Sequence, residues 1–182
     1  MNLTFRKLAI EDMKYHVKWL NDPEICRFLG PNLRQGKISE EELIAKFEKG
    51  VHNKEREFFT ILLDEVPVGF TALTNINLVD KNASVFLLIG ERNLQGQGIG
   101  KKSLKFITDY GFDDLGLHKI WLECFTDNKI AINCYKSFGF VEEGYFKDQA
   151  VSAPEKSQGT SGHGGKFCDE VRMAIIRKNT SI

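Results

Sequence analysis

The chain has 182 residues, 42% of them hydrophobic, and its 25 Lys and Arg balance 25 Asp and Glu for a formal net charge of zero. That size and apolar content suit one α/β domain with its own core, and the balanced charge excludes a global field that would draw the protein to nucleic acid or an anionic membrane. No apolar run approaches a membrane span and the N-terminus is too polar for a signal peptide, so a cytoplasmic location is expected. Four scattered cysteines, Cys26, Cys124, Cys134 and Cys168, form no C-x-x-C, and the histidines show no metal-like spacing with them. Reduced thiols and no metal are therefore expected.

In chain order, Leu3 to Leu8 reads as a strand, and Ile10, Met13, Val17 and Leu20 follow helical spacing until Asn21-Asp22-Pro23 breaks the run. Ser39 with Glu42 makes a capping box ahead of Leu43, Ile44 and Phe47, and Gly50 ends that helix. Phe58 to Leu63 and Val66 to Asn77 read as two strands of a hairpin around Asp64-Glu65. Ala83 to Ile89 is the next strand, Ile99 to Phe112 a long amphipathic helix, and Lys119 to Phe125 another strand. A helix opens at Asn128, and strands fit Val141 to Lys147 and Val171 to Arg177. Phe58, Phe59, Phe70, Phe86, Phe106 and Phe112 are assigned to the core. Between the last two strands, the Gly- and Ser-rich segment at about 151–166 reads as a surface hairpin loop, with a substrate lid or an oligomer contact as the alternative.

Gln95-Gly96-Gln97-Gly98-Ile99-Gly100 joins the fourth strand to the long helix. Alternating glycines leave backbone N–H groups open at a helix N-terminus, where the dipole favours an anion. A Cβ there would obstruct both the tight turn and a close phosphate. Lys101 and Lys102 add positive charge to this cradle. The turn is not the dinucleotide fingerprint, because its third glycine comes one residue early, and it is not a P-loop, because Lys102 stands where Ser or Thr should hold magnesium. About thirty residues on, Asn128-x-x-Ala131-x-x-x-Tyr135-x-x-x-Gly139-Phe140 places Ala131 and Tyr135 on one helix face.

Together, Q-x-x-G-x-G (Gln95, Gly98, Gly100) and N-x-x-A-x-x-x-Y-x-x-x-G-F resemble the GCN5-related N-acetyltransferases. The opening Leu3 to Asp12, the segment Trp19 to Glu24 and the closing Asp169 to Ile175 look like the ribosomal-protein N-acetyltransferase branch, which also takes in spermidine and nucleotide-aminosugar acetyltransferases. The resemblance implies a single domain over 1–182: a mixed central sheet of about six to seven strands flanked by about four helices. It also implies acetyl-CoA as co-substrate. Gln95, Gly96, Gln97, Gly98, Ile99, Gly100 and Lys101 would hold its pyrophosphate, the backbone of Leu88 and Ile89 its pantetheine arm, and Asn128 would help from the opposite side.

Acetyl transfer from a thioester to an amine also needs an acid for the departing thiolate and a deprotonated amine. Tyr135 is the candidate acid: a phenol with pKa near 10 is protonated at neutral pH and can give its proton to a thiolate whose conjugate acid lies near 8.5. Glu123, twelve residues earlier in Ile120-Trp-Leu-Glu-Cys-Phe125, is the candidate base, and its Leu-Glu context resembles the base of ribosomal-protein alanine N-acetyltransferases. Alternation puts it on the strand face of Trp121 and Phe125, opposite Leu122 and Cys124. Glu24 and Glu91 are lesser candidates.

The acceptor is expected to enter beside residues 24–39, where Cys26 to Lys37 carries Arg27, Arg34 and Lys37 and no acid. That disfavours a polyamine and leaves a protein N-terminus or a small amine, such as an amino sugar on a nucleotide. A homodimer is possible, and neither nucleic acid nor membrane is expected as a partner. The alternative is a non-catalytic acyl-CoA-binding sensor of the same fold.

Overall fold

Asp64 and Glu65 both sit at positive φ, 47° and 66°, the backbone signature of a type I′ hairpin turn. The computed structural model describes residues 2–29, 37–50, 53–151 and 166–178, and this turn joins β2 (Glu57–Leu63) to β3 (Val66–Asn77). On either side, β1 (Leu3–Lys7) pairs with β2 and β4 (Asn82–Ile89) with β3, all antiparallel. β5 (Lys119–Phe125) lies parallel to β4, β7 (Phe167–Ile176) antiparallel to β5, and β6 (Val141–Val151) closes the far edge. The seven strands make one mixed sheet in the order β1-β2-β3-β4-β5-β7-β6.

Five α-helices accompany the sheet among the described residues: α1 (Met13–Leu20), α2 (Pro23–Cys26), α3 (Glu40–Gly50), α4 (Ile99–Asp109) and α5 (Lys129–Phe138). The sequence reading expected about four. The extra one is α2, because Pro23 does more than end α1. Its fixed φ suits the first position of a new helix, and the Asp22 side chain caps that helix by accepting from the Glu24 N–H at 2.9 Å. At α3 the capping box is present in both directions: Ser39 N–H donates to Glu42 Oε2 and Glu42 N–H to Ser39 Oγ, each at 3.2 Å. β6 and β7 reach further than expected, to Val151 and back to Phe167. The polar Lys147-Asp148-Gln149 reads as a strand end, yet the ladder continues past it through a bulge between Phe146 and Ala150, with Asp148 at φ 53°. The Gly- and Ser-rich loop, at residues 152–165, lies outside the described residues.

Alternation along β4 sends its side chains to two cores. Ala83 and Val85 join Leu104 and Ile107 of α4, Ile132 of α5, and Ile120, Leu122 and Cys124 of β5. Phe86 and Leu88 pack the other way, with Trp19 and Leu20 of α1, Ile25 and Cys26 of α2, and Phe70 of β3. Phe59, Phe70, Phe86, Phe106 and Phe112 all belong to these clusters, as expected, whereas Phe58, also assigned to the core, is only half-buried and joins none of them. Each fully buried aliphatic chain, such as Leu104 or Ile107 at 0% exposure, contributes about 1.5–3 kcal/mol. Helices α4 and α5 thus cover one face of the sheet centre and α1 to α3 the other.

Candidate active site

The parallel ladder between β4 and β5 holds for only three pairs, Asn82↔Lys119, Ala83↔Ile120 and Ser84↔Trp121. Beyond it the two strands keep only their outer partners: residues 85–89 stay paired with β3, and 122–125 with β7. The sheet therefore opens into a V whose wide end lies at Leu88, Ile89 and Phe125. A strand edge released in this way offers backbone N–H and C=O groups to an extended, amide-bearing ligand.

The glycine turn stands at the wide end of the V. Gly96 and Gly98 take φ of 76° and 81°, and a Cβ on either would meet nothing within 4 Å. Their glycines are required by conformation, and they face open space. Gly98 is the N-cap of α4, and the first helical bond runs from Lys102 N–H to the Gly98 carbonyl. The N–H groups of Ile99, Gly100 and Lys101 precede that ladder, which is the arrangement that receives an anion. Gly100 differs from the expectation for the turn. Its φ is not positive, and a Cβ there would make ordinary contacts with Cys134 Sγ at 3.6 Å and a Leu87 methyl at 3.7 Å. Its small size instead keeps clear the space between β4, α4 and α5. Gln95 ties the loop to the strand, its Nε2 donating to the Ile89 carbonyl at 3.0 Å, while Gln97 Nε2 donates to the Asn93 carbonyl at 2.7 Å. These features fit a pyrophosphate at the turn and a pantetheine arm along β4.

On α5, Asn128 caps the helix, its Oδ1 accepting from Ala131 N–H at 3.2 Å. Tyr135 lies two turns further on, packed against the larger core and 5.9 Å from the Phe140 ring centroid. Among the described residues, its hydroxyl has no hydrogen-bond partner. Burial, and then the thiols of Cys124 and Cys134, push the phenol well above its ordinary value, so it is neutral across the working pH range. The same surroundings raise nearby thiols: burial lifts Cys124 to about 12, and Cys134 rises for the same reason. Burial raises thiol and phenol alike, so desolvation alone does not close the uphill step from phenol to thiolate that exists in water.

Glu123 is on the opposite face from Tyr135. Its neighbours Leu122 and Cys124 point into the α4–α5 core, whereas Glu123 is exposed on the other face, the face of the half-buried Trp121. The acid and base candidates therefore flank the sheet and can share a substrate only through the V. Arg172, its cross-strand partner on β7, binds Glu123 through one oxygen: Nη2 to Oε1 at 2.6 Å and Nε to Oε1 at 3.1 Å. Among the described residues Oε2 has no partner. The guanidinium carbon also lies 4.4 Å from the Trp121 ring centroid and 5.5 Å from that of Phe146, within cation–π range.

Sequence reasoning missed Arg172, which lies 49 residues from Glu123 and shares no motif with it. It also missed Gly90, which follows directly on Leu88 and Ile89. A Cβ there would lie 2.1–2.3 Å from three ring atoms of Trp19, so the indole rests on bare backbone at the mouth of the V. Trp19 Nε1 donates to Glu91 Oε1 at 3.0 Å, and Lys18 Nζ approaches the same oxygen at 2.6 Å. Although burial opposes it, these two partners hold the Glu91 carboxyl below its ordinary range. Glu91, a lesser candidate base, thus straps α1 to the end of β4. Glu24, the other, is exposed in the first turn of α2. Arg34 lies outside the described residues, and Arg27 packs its guanidinium 5.1 Å from the Phe28 ring centroid. Among the described residues, no group of three His, Cys, Asp or Glu could hold a metal ion, and no helix is long and apolar enough to cross a membrane.

Comparison with known proteins agrees with this geometry. The family model described as the acetyltransferase (GNAT) family matches residues 16–140. A spermidine N(1)-acetyltransferase of Vibrio cholerae is 29% identical over 176 residues, covering 96% of this chain and 93% of that protein. Its counterpart in Escherichia coli K12 is 29% identical over 143 residues, 79% of this chain and 75% of its own. The crystal structure of the Vibrio cholerae spermidine N-acetyltransferase with CoA and spermine superposes with a TM-score of 0.83 at 26% identity, covering 96% and 95% of the two chains. These relatives are spermidine acetyltransferases, and they do not point specifically to the ribosomal-protein acetyltransferases.

Proposed function

The chain belongs to the GNAT family of acetyl-CoA-dependent acetyltransferases, and from that premise we propose that it transfers the acetyl group to a primary amine of a polyamine of the spermidine class. The observation that carries this reading is similarity along nearly the whole of both chains to a spermidine acetyltransferase. The reading departs from the expectation drawn from residues 24–39, whose basic side chains argued against a polycation. Those residues are one segment of the acceptor side only. The β5 side of the V carries Glu123, whose Oε2 is left open by Arg172 and suits an ammonium group.

In this reading acetyl-CoA supplies the thioester, held by Gln95 to Lys101, by the backbone of Leu88 and Ile89, and by Asn128. Glu123 Oε2 receives the ammonium proton, directly or through one water, and the freed amine attacks across the V. Tyr135, reaching in from the other face, protonates the departing thiolate. Because Arg172 occupies only Oε1, the carboxylate keeps an acceptor while its orientation is fixed.

Thiol release from acetyl-CoA, measured with spermidine, spermine, a set of N-terminal peptides and a UDP amino sugar, tests the assignment. Spermidine or spermine should give a kcat/KM on the order of tenfold or more above the other acceptors. A peptide or the amino sugar in first place would overturn it.

A further inference from the structure

Glu170 of β7 lies on this face and takes no part in the reaction as described. Its cross-strand neighbours are Phe125 on β5 and Phe146 on β6. Counting four residues up each strand from the last parallel pair, Ser84↔Trp121, brings Phe125 level with Leu88 across the V, so Glu170 stands beside its wide end. The carboxyl is partly buried, and no described residue forms an ion pair or hydrogen bond with it. Arg172 is committed to Glu123. The Glu170 carboxyl therefore has no cation of its own among the described residues, and both of its cross-strand neighbours are phenylalanines. Burial, together with the charge of Glu123, raises the Glu170 carboxyl above its ordinary range. An unpaired carboxylate held out of water costs free energy, which an incoming cation removes. Aromatic walls favour an organic ammonium over a hydrated metal ion.

We infer that Glu170 is a specificity-determining residue that binds the second ammonium of an elongated acceptor, while the first is presented to Glu123 at the V. This rests on the polyamine reading and adds to it: one site for the reacting amine, and a second, a strand away, for a charge that does not react. A simple monoamine fills only the first. Because the distal contact forms equally in the bound ground state and the transition state, it acts on KM more than on kcat.

The test compares wild type with Glu170→Gln and Glu170→Asp, using spermidine and n-butylamine as acceptors at saturating acetyl-CoA. Far-UV circular dichroism and a melting curve verify that each variant is folded. Glu170→Gln should lower the kcat/KM of spermidine relative to n-butylamine by about 10- to 100-fold, the range for losing one charged hydrogen bond. The loss should appear in KM, and Glu170→Asp should recover part of it. An unchanged ratio in a folded variant, or a loss confined to kcat, overturns the inference while leaving polyamine acetylation standing. Wild-type enzyme that acetylates peptides or amino sugars but neither spermidine nor spermine overturns both, and the wild-type measurements alone identify that outcome.

Discussion

Replacing Gly90 by Ala tests whether the mouth of the V is held by the contact between α1 and β4. The new methyl would fall 2.1–2.3 Å from Cγ, Cδ2 and Cε2 of Trp19, whereas carbon atoms pack at about 3.5–4.0 Å. The indole must retreat by more than about 1 Å. It is only 1% exposed and is wedged against His16, at 5.6 Å between centroids, and Tyr15, at 6.1 Å. Overpacking of this kind costs about 1–3 kcal/mol. The retreat also stretches the 3.0 Å bond from the indole N–H to Glu91. A bond to a charged group is worth about 1.5–3 kcal/mol when buried, and about 1 kcal/mol is retained here because Glu91 is partly solvated. The sum, about 2–4 kcal/mol, corresponds at this chain length to a fall in Tm of about 5–15 °C. Calorimetric titration well below the new Tm should show weaker acetyl-CoA binding as well, because Gly90 adjoins Leu88 and Ile89. Trp19→Leu removes the obstructing ring, so the double variant should be less destabilised than the sum of the singles. A Gly90→Ala protein that melts with wild type, or a strictly additive double variant, would refute the contact as the reason for the glycine.

Tyr135→Phe keeps the packing and removes the hydroxyl, so kcat should drop on the order of 10²–10⁴-fold with acetyl-CoA affinity nearly unchanged. Single-turnover rates must accompany the steady-state values, since slow product release would mask the effect, and an unaltered chemical step would reduce Tyr135 to a packing residue. Glu123→Gln should flatten the rising limb of the pH–rate profile and be partly rescued at high pH, where the amine deprotonates unaided; a profile like that of wild type would assign the proton to another acceptor. Gly100→Val should weaken acetyl-CoA binding more than it lowers Tm, because its methyls enter the space between Leu87 and Cys134 without disturbing a left-handed backbone; equal affinity in a folded variant would remove that space from the binding site. His16, buried against Phe70 with no partner for Nε2, has its pKa lowered by burial to about 4, against the opposing charge of Asp12. The unfolded chain binds that proton first, so the stability His16 confers is complete above about pH 6.5 and is lost as pH falls towards 4, by up to about 3 kcal/mol. Urea unfolding of wild type and His16→Phe across that window should show a steeper loss for wild type, and parallel curves would contradict the assignment.

Local chemistry was legible in the sequence wherever a few neighbouring residues determine the outcome. The Asp64-Glu65 hairpin, the Ser39–Glu42 capping box, the glycine turn ahead of α4 and the Asn128 cap with Tyr135 two turns on all depend on backbone preferences and hydrogen bonds spanning at most one or two turns. The alternation that separates Glu123 from Cys124 is local in the same sense. Even so, Pro23 was taken only as a stop, because the same fixed φ that ends one helix also starts another. Tertiary structure alone decided that β7 inserts between β5 and β6, bringing Arg172 beside Glu123 and setting Glu170 opposite Phe125 and Phe146. It also decided that β4 and β5 part after three pairs, and that Trp19 lies on Gly90 and binds Glu91 from 72 residues away. The charge around the V was only half legible for the same reason: the basic residues near 24–39 are contiguous in sequence, while the carboxylates on β5 and β7 are brought together by strand pairing. Helical and turn periodicities record which face a side chain takes, but the partner it meets there is set by strand order and by how two cores share one sheet.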